Sequence, residues 1–495
     1  MFSMAKINMS FKCCKSQFSV KFIIIPLLVI LLQGCTVGPD YVKPETEMPD
    51  AWNNDLAKGL KDSQADIQKW WEVFNDPALD ALIQRAAENN HDLQKAVSKI
   101  EESRALRALV SGEYWPNIDA AGSYSRARVS ENGLIPFSNP DQTNLHSAGG
   151  GAAWEIDLFG RINRSVESAD ATYQATIEDY RDVLVSLYSE VATNYIDLRS
   201  VQARLHYAQQ NVALQKKTVK LTKDRLEAEL VPQLDVTQAQ LNLANTESTI
   251  PTLIILENKA LNRLATLVGV HPGTLNEEVS KTSEIPKAPR ELIIGIPAEL
   301  LRQRPDIRKA ERQLAAQTAQ IGVATAALYP SFSLSGTFVL EATELGDLSS
   351  WGSRKYGFGP SFSWNIFDGN RVQSNIQVQE ARTEQLLSAY KQAVLKGLEE
   401  VENAMISYAS ELDRSQALQR AVTAADKSAE LVEIRYVNNL SDFQNVLDMQ
   451  RSLSTQQDKL ADSQGAVVKN LVSLYKALGG GLERQRFPTP EKNDQ

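Results

Sequence analysis

The residues best able to do chemistry are few in this sequence and stand apart from one another. Histidines that hold a metal ion usually lie three or four residues apart or beside cysteines. The glycine runs at 149–151 and 479–481 lack the Lys-Ser or Lys-Thr that completes a phosphate-binding loop. We therefore expect no catalytic residue, no metal site, no cofactor and no enzyme activity. The four histidines, each alone in its segment, are His91, His146, His206 and His271.

Cys35 is the one residue with a clear chemical role, because it closes an N-terminal export signal. Four lysines precede the apolar run 22–32, which is too short to span a membrane. The sequence Leu-Gln-Gly-Cys that ends at Cys35 resembles the processing box of bacterial lipoproteins, in which the cysteine becomes the lipid-bearing first residue. We expect residues 1–34 to be a signal peptide and Cys35 to be lipidated. The other two cysteines leave with the signal, so we expect no disulfide.

The charge of the chain argues against nucleic-acid binding. The formal net charge is −9, and removal of four lysines with no acids lowers it to −13 in the processed chain. An acidic protein is repelled by phosphate backbones, so no nucleic-acid partner is expected. No apolar run reaches the 18 or so residues of a spanning helix, so we expect strands to make any membrane passage.

The elements around these residues are organised by an internal duplication. Six aliphatic residues from Val191 to Leu226 stand seven apart, which is the pattern of a coiled-coil seam. After a break at 229–233 the same spacing resumes, so each copy is predicted to be an antiparallel helical hairpin, at 161–269 and 371–478. An outgoing arm of roughly 65 residues would be about 100 Å long. Landmarks that recur 210 positions later are Trp154, Arg225, Leu230, Val236, Gln240 and Gly269.

Each copy is preceded by two segments with the period of a β-strand. The clearest runs from Tyr356 to Ile366 and alternates large apolar residues with glycine, serine and asparagine. We predict two hairpins, at 116–158 and 330–367, whose strands of about 10 residues suit a tilted transmembrane strand. Pro360 is expected to lie at a β-bulge. The alternative is a pair of hairpins half-buried on a soluble core. Lipid exposure is favoured by the tryptophans at the strand borders, Trp115, Trp154, Trp351 and Trp364.

Four strands cannot close a barrel with an open lumen, so the barrel must be shared between chains. Three copies supply twelve strands, an even number with room for a channel. The predicted fold class is an α+β membrane protein. Four transmembrane β-strands per chain form a shared trimeric β-barrel, which continues into a long coiled-coil α-barrel tunnel.

The remaining segments connect these parts. We expect a lipid-anchored arm at 35–77, a helix of the first repeat at 78–115 that begins after Asp76-Pro77, and a connector at 270–297. A helix of the second repeat is expected at 298–329, and a polar C-terminal tail at 479–495.

The chain resembles the outer-membrane efflux proteins, also called outer membrane factors, in the TolC-like lipoprotein branch that includes NodT-type channels. The matching motifs cover nearly the whole processed chain in the family's order. They are Gly34-Cys35-Thr-Val-Gly-Pro-Asp-Tyr, Trp70-Trp71 with Phe74, and the stretches 154–161, 301–308, 367–369 and 474–480. The resemblance implies a homotrimer in the outer membrane of a Gram-negative bacterium, extending into the periplasm. It also implies that the trimer is the passive exit duct of a tripartite efflux system, docked to a periplasmic adaptor protein and an inner-membrane pump.

The resemblance also implies roles for the hairpin tips. Arg435, Tyr436 and Asp448 match the residues that close the tunnel, and three copies of Asp448 would form an acidic, cation-selective ring. Gln444 replaces an apolar residue usual in the family, which predicts a more polar closed state. The first tip is expected to turn differently, using Pro232, because Glu229 tolerates a left-handed conformation poorly. The residues implied to contact the adaptor are Glu229, Leu230, Val231, Pro232, Asn439, Leu440 and Ser441.

A second function remains open at this point. A lipid-anchored periplasmic scaffold or adaptor without a pore would also need long helical hairpins and Cys35. It would not need four amphipathic strands with aromatic borders, or two hairpins that both begin from them. The channel is therefore the favoured function.

Overall fold

The structure is a computed structural model that describes residues 36–45, 52, 60–62, 67–128, 143–275, 279, 284–288, 292–294 and 301–482. The expected signal peptide, the lipidation site Cys35, most of the first hairpin loop and the end of the C-terminal tail lie outside these residues. Two compact units divide the chain. The first gathers the described parts of 1–41, 108–168 and 318–381, and the second holds the rest.

Helices and strands follow one another in two similar series. The helices are α1 Pro77–Asn89, α2 His91–Ser111, α3 Arg161–Glu227, α4 Gln233–Leu267, α5 Pro305–Ala326, α6 Arg371–Val437 and α7 Phe443–Ala477. The strands are β1 Leu60–Asp62, β2 Asn117–Ala127, β3 Thr143–Ile156, β4 Leu292–Ile294, β5 Ser331–Ala342 and β6 Arg354–Ser363. Short 3₁₀ helices occupy Trp70–Phe74, Gly112–Tyr114, Leu345–Asp347 and Trp351–Ser353.

In the first unit the two hairpins form one antiparallel sheet in the order β2-β3-β5-β6. Strand β3 joins the hairpins by pairing with β5, so that Trp154 lies opposite Leu334. One face carries apolar side chains that are largely exposed, including Phe358 at 84% and Ile118 at 76%. Serine pairs occur elsewhere in the sheet, as where the Ser333 and Ser361 hydroxyls are 2.8 Å apart.

The expected β-bulge at Pro360 is absent from the described sheet. The β5–β6 ladder runs without interruption from Ser331 opposite Ser363 to Leu340 opposite Arg354, with Pro360 opposite Leu334. Strand β6 pairs with only one neighbour in the described chain. Pro360 is therefore accommodated in the β5–β6 ladder without a bulge.

The long helices repeat the duplication residue for residue. Both α3 and α6 have 67 residues, and both α4 and α7 have 35. Among the described residues, none of the helices combines the length and the apolar character needed to cross a membrane.

The helix expected at 78–115 is two helices, because Asn90 interrupts it. The Asn90 side chain accepts a hydrogen bond from the Leu93 backbone N–H at 3.0 Å and so caps α2. Its amide donates to the Leu267 carbonyl at 2.9 Å, which ties the break to the end of α4. Asparagine is among the preferred helix N-cap residues, but the sequence alone does not show the Leu267 contact that fixes the break at Asn90.

The helix expected at 298–329 is also interrupted, since residues 302–304 are not helical and α5 begins at Pro305, while residues 298–300 lie outside the described chain. Proline has no N–H and disfavours a helical residue before it, so it starts a helix more readily than it continues one. The preceding Arg304 is buried and donates to the Ala477 carbonyl at 2.6 Å. The same guanidinium pairs with Asp306 at 2.8 Å and with Glu400 at 2.7 Å. The start of α5 is therefore anchored to α6 and α7.

The main hydrophobic core lies in the second unit, around the aromatic residues that precede α1. Trp70 is 1% exposed and stacks on Tyr475 with ring centroids 5.5 Å apart. Trp71 packs edge-on against Tyr188 at 4.9 Å. Tyr195, a further core residue, donates a 2.6 Å hydrogen bond from its hydroxyl to the partly buried Asp76. This core packs residues 184–198 of α3 and 260–267 of α4 against residues 401–408 of α6 and 467–477 of α7. The tips are the turns that join α3 to α4 and α6 to α7.

Candidate functional site at the hairpin tips

The two tips have the same backbone, although their sequences differ. Glu229 has φ 57° and Asn439 has φ 58°, so each adopts the left-handed conformation. The Leu230 N–H donates to the Arg225 carbonyl at 2.9 Å, and the Leu440 N–H donates to the Arg435 carbonyl at 2.8 Å. These are the 6→1 bonds of a Schellman motif. The expectation that the first tip would turn differently is wrong.

The residue that follows each turn also has the same backbone conformation in both tips. Pro232 and Asp442 both have extended backbones, with φ −77° and −76°, directly before α4 and α7. A proline already restricted to this φ suits the position, and Asp442 adopts it without a side-chain cap. The turn is therefore set by helix-end hydrogen bonds common to both copies, which offset the cost of about 1–2 kcal/mol for a left-handed glutamate.

A small apolar cluster binds the two hairpins together behind the tips. Tyr436 and Phe443 are each 4% exposed, and their rings are 5.2 Å apart. The cluster is completed by Val219, Ala239, Val446 and Leu447. Tyr436, expected from the resemblance to belong to the tunnel closure, thus lies in the packing between hairpins of one chain.

Arg225 is the residue that links one tip directly to the other. Its Nη1 donates to the Val437 carbonyl at 3.0 Å, and its Nη2 donates to Asn439 Oδ1. Its guanidinium carbon lies 4.8 Å from the centre of the Tyr436 ring. The guanidinium therefore donates to a free carbonyl at the C-terminal end of α6 and stacks on the Tyr436 ring of the apolar cluster.

Sequence reasoning did not assign Arg225 a role at the site. The available signal was the duplication, since Arg225 is the counterpart of Arg435. The two arginines nevertheless act differently. Arg435 Nη2 donates to the Leu440 carbonyl at 3.2 Å within its own tip, whereas Arg225 reaches across to the second hairpin.

Asp448 lies on α7 with its side chain half exposed, at 51%. Gln444 Nε2 donates to Asp448 Oδ1 at 3.0 Å, and Arg451 Nη1 lies 3.7 Å from the same oxygen. Within the described chain, neither Arg435 nor Tyr436 shares a hydrogen bond or an ion pair with Asp448. The structure thus brings Gln444 and Asp448 together and adds Arg451, which sequence reasoning missed. The signal for Arg451 was its i,i+3 spacing from an aspartate on a helix.

Charges near the tips are not fully balanced. Burial raises the pKa of the Asp235 carboxyl, the negative charge of Asp442 adds to the rise, and the Arg225 guanidinium opposes it. Burial also raises the pKa of Tyr436. The Tyr436 hydroxyl is buried and has no hydrogen-bond partner among the described residues. Removal of this hydroxyl should therefore cost little.

The outermost tip residues offer an apolar surface. Leu230 is 61% exposed and its counterpart Leu440 is 66% exposed. Glu229, Pro232 and Asn439 are exposed beside them, whereas Val231 and Ser441 are partly buried. Among the described residues no group of His, Cys, Asp or Glu is placed to hold a metal ion. The tips therefore present apolar anchors and unneutralised carboxylates.

Known proteins resemble this chain over most of its length, in sequence and in fold. The family model described as outer membrane efflux protein matches residues 82–270 and 296–480. Nodulation protein T of Rhizobium leguminosarum bv. trifolii is 32% identical over 467 residues, covering 92% of this chain and 96% of that protein. The solvent efflux pump outer membrane protein SrpC of Pseudomonas putida is 32% identical over 470 residues, covering 93% and 99%. The solved structure of the outer-membrane channel OprN is similar with a TM-score of 0.84 and 35% identity, covering 90% of this chain and 99% of that one.

An exposed apolar sheet together with two duplicated helical hairpins defines a protein of the outer-membrane channel class. The chain belongs to the outer membrane efflux protein family. It is an outer-membrane efflux channel of a Gram-negative bacterium, as expected from the motifs, and the relatives reported above are channel and efflux proteins.

Proposed function

We propose that this protein is a homotrimeric exit duct that receives its substrates from an inner-membrane pump through a periplasmic adaptor. The observation that carries the trimer is the open sheet. Within the described chain, β2 and β6 each pair on one side only. Unpaired strand edges are unsustainable in lipid, so each β6 must pair with a β2 of another copy until the sheet closes. Three chains of four strands close it at twelve.

The exposed face of the sheet supports its contact with lipid. Tyr356, Phe358 and Phe362 lie on one face of β6 and are between 68% and 84% exposed. An apolar patch of this kind on a protein surface marks contact with a membrane or another protein. The four strands are 10 to 14 residues long, which is enough to cross a bilayer at a tilt. All four are therefore proposed to be transmembrane strands of the shared barrel.

The N-terminal arm supports lipid attachment at Cys35. Residues just after that cysteine are fastened to the start of α3, where Arg164 Nη2 donates to Asp40 at 2.6 Å and the Val37 N–H donates to the Phe159 carbonyl at 3.2 Å. The Arg164 side chain is only 4% exposed, so this attachment is built into the first unit. The arm thus holds residue 36 beside the sheet-bearing unit, which suits a lipid-bearing neighbour. Residues 1–34 are proposed to be the signal peptide, and 270–297 to be an equatorial connector.

The gate is proposed to lie at Asp448. A half-exposed carboxylate repeated three times around a narrow axis would attract cations and repel anions. Gln444 beside Asp448 keeps the constriction polar. Arg435 and Tyr436 support it indirectly, through the turn and the apolar cluster.

The adaptor is proposed to dock on the outer tip surface, at residues 229–232 and 439–441. Leu230 and Leu440 supply two equivalent apolar anchors per chain, or six per trimer. Docking on the tips would stabilise a splayed arrangement of α3, α4, α6 and α7 and so shift the equilibrium toward the open tunnel. Inner-membrane partners supply the energy, and the channel remains passive.

Single-channel conductance in a planar bilayer tests the duct and its gate together. We expect small cation-selective currents from the wild type and larger, less selective currents from Asp448→Ala. The matched control is Asp462→Ala, which removes an exposed carboxylate from the same helix and should behave as wild type. Equal currents from both variants would contradict the gate.

A separate fractionation distinguishes the channel from the anchored scaffold. Replacement of Cys35 by serine leaves a barrel in the outer-membrane fraction, whereas a protein held only by its lipid would be released. Absence of current from a folded trimer, together with release of this variant, would favour the scaffold.

A further inference from the structure

A cavity of about 530 Å³ lies in the second unit, at the place where the described chain ends. Helices α1 and α3 line it, together with residues of the 3₁₀ helix Trp70–Phe74. Two of the lining aromatic residues, Trp71 and Tyr188, are 9% and 7% exposed. Binding sites in proteins typically combine such a concave apolar surface with a few polar groups. Further apolar lining residues are Ile83, Leu93 and Leu184.

The polar part of the lining is mainly acidic. Asp80 and Glu88 line the cavity from α1, and neither takes part in an ion pair within the described chain. Glu72 also lines it, with Oε1 3.9 Å from Lys69 Nζ. One oxygen of Asp80 is buried and has no hydrogen-bond partner among the described residues. Burial raises the pKa of Asp80, and the negative charges of Glu72 and Asp76 add to the rise. A cation in the cavity would offset this accumulation of negative charge.

The chain that leaves α7 is led to this cavity. Gly479 and Gly481 have φ 75° and 96°, which glycine adopts without strain, and they turn the backbone away from the helix. The Gly481 N–H donates to the Ile67 carbonyl at 2.9 Å, and Gly481 itself lines the cavity. A Cβ at this glycine would lie 2.9 Å from the Tyr188 ring. Leu482 is the last described residue, so the tail segment 483–495 starts at the edge of the cavity.

The composition of the tail segment complements the lining. Phe487 is its one aromatic residue, and the positively charged Arg484 and Arg486 precede it. The six residues from Gly481 to Phe487 can span about 20 Å, which exceeds the width of a cavity of about 530 Å³. Because the segment is attached at the edge, its effective concentration at the cavity is on the order of millimolar. Even a weak contact would therefore fill the cavity.

We propose that the cavity binds the tail segment of its own chain, with Phe487 against the apolar lining and the two arginines beside the carboxylates. The ring would join an aromatic group that already packs edge-on, since Trp71 and Tyr188 have centroids 4.9 Å apart. A guanidinium would supply the cation that Asp80 lacks within the described chain. Docking would join the end of α7 to α1 and α3, and so fasten the main hydrophobic core. The inference does not depend on the channel function.

Disulfide formation in the full-length protein in detergent tests the proposal. The test pair is Gln84→Cys with Gln485→Cys, because Gln84 is exposed and lines the cavity, and Phe487 is kept. The matched pair is Lys95→Cys with Gln485→Cys, because Lys95 is also exposed but does not line the cavity. Mild oxidation should link the test pair within one chain about tenfold faster than the matched pair. Cys35 is present in both and affects them alike.

Changes in the tail segment separate docking from mere proximity. In the test pair, Phe487→Ala should slow the disulfide about tenfold, because the apolar anchor is lost. Replacement of both Arg484 and Arg486 by glutamine should slow it about threefold at low salt and have less effect at high salt. Lys492→Gln removes a cation further along the segment and should leave the rate unchanged.

Three results would overturn the assignment: equal rates for the test and matched pairs, a rate of the test pair that Phe487→Ala leaves unchanged, or a disulfide that joins two chains. The last result, visible as a dimer on a non-reducing gel, would assign the cavity to the tail segment of a second copy. If Gln84→Cys does not yield folded protein, Ala87→Cys replaces it, because Ala87 also lines the cavity, and the same rates are expected.

Discussion

Replacement of Arg225 by methionine tests whether contacts between the tips keep the tunnel closed. Methionine keeps much of the apolar stem but removes the charge and all donors. The change deletes the bonds to the Val437 carbonyl and to Asn439, and it removes the guanidinium from the face of Tyr436. All three contacts join the first hairpin to the second, so a splayed tip would lose them.

The expected size of the effect follows from those contacts. Hydrogen bonds from a charged group contribute about 1.5–3 kcal/mol, and a cation–π contact at an exposed site adds about 0.5–1 kcal/mol. Two such bonds and the ring contact would together contribute at least about 3.5 kcal/mol, but Arg225 is partly exposed and water replaces part of each contact, so we expect a loss of about 2 kcal/mol. If these contacts exist only in the closed state, the ratio of closed to open tips falls about 30-fold.

Single-channel recording without an adaptor measures this ratio as the open probability. Hydrogen exchange at the Leu440 amide reports on the same tip, since that N–H is bonded only while the turn is intact. The matched control is Lys223→Met, which removes an exposed lysine two residues earlier on α3. Arg225→Lys should be intermediate, because it keeps the charge and loses the fork. Equal open probabilities for Arg225→Met and Lys223→Met would refute the reasoning.

Three further changes probe the tips. Glu229→Gly should slow exchange of the Leu230 amide by a factor that corresponds to about 1 kcal/mol or less, because glycine adopts φ 57° without strain; unchanged or faster exchange would show that no strain is stored there. The pKa of Asp235 is raised in the folded tip, so its contribution to stability is present below the ordinary pKa of about 4 and is lost as the pH rises through the folded pKa. Hydrogen-exchange protection of the tip amides should therefore improve on acidification. Asp235→Asn should lose this part of the pH dependence and should show greater protection than wild type at pH 7. Tyr436→Phe removes a buried hydroxyl without a partner, so the Tm of the trimer should stay constant or rise, whereas a clear fall would reveal an acceptor supplied by another chain.

Features that depend on periodicity could be read from the sequence. Heptads that extend over about ten turns predict long helices, because an apolar stripe must be buried along its whole length, and both arms follow that prediction. The alternation from Tyr356 to Phe362 predicts a strand for the same reason. The duplication also predicted that each helix and strand of the first copy has a counterpart in the second copy. Together with the motifs, these signals were enough for the family and the channel.

Features that depend on partners distant in the chain were decided by tertiary structure. Asn90 ends one helix and starts another because Leu267 supplies an acceptor 177 residues away. Glu229 accepts a left-handed backbone because the turn is closed at both ends by packed helices, which outweighs its own preference. Arg225 and Arg435 occupy equivalent positions in the duplication, yet only Arg225 bridges the hairpins, since the second tip lies within its reach.

The ion pairs between α3 and α5 show the same division. Their charges come from the segments 178–181 and 305–312, and each segment by itself is an ordinary mixture of acids and bases. The sequence determined which side chains are charged and which faces of the helices must be buried. Only the packing of α5 against α3 decided that Arg181 and Arg308 would share Glu178, because ion pairing depends on distances in space that no periodic pattern encodes.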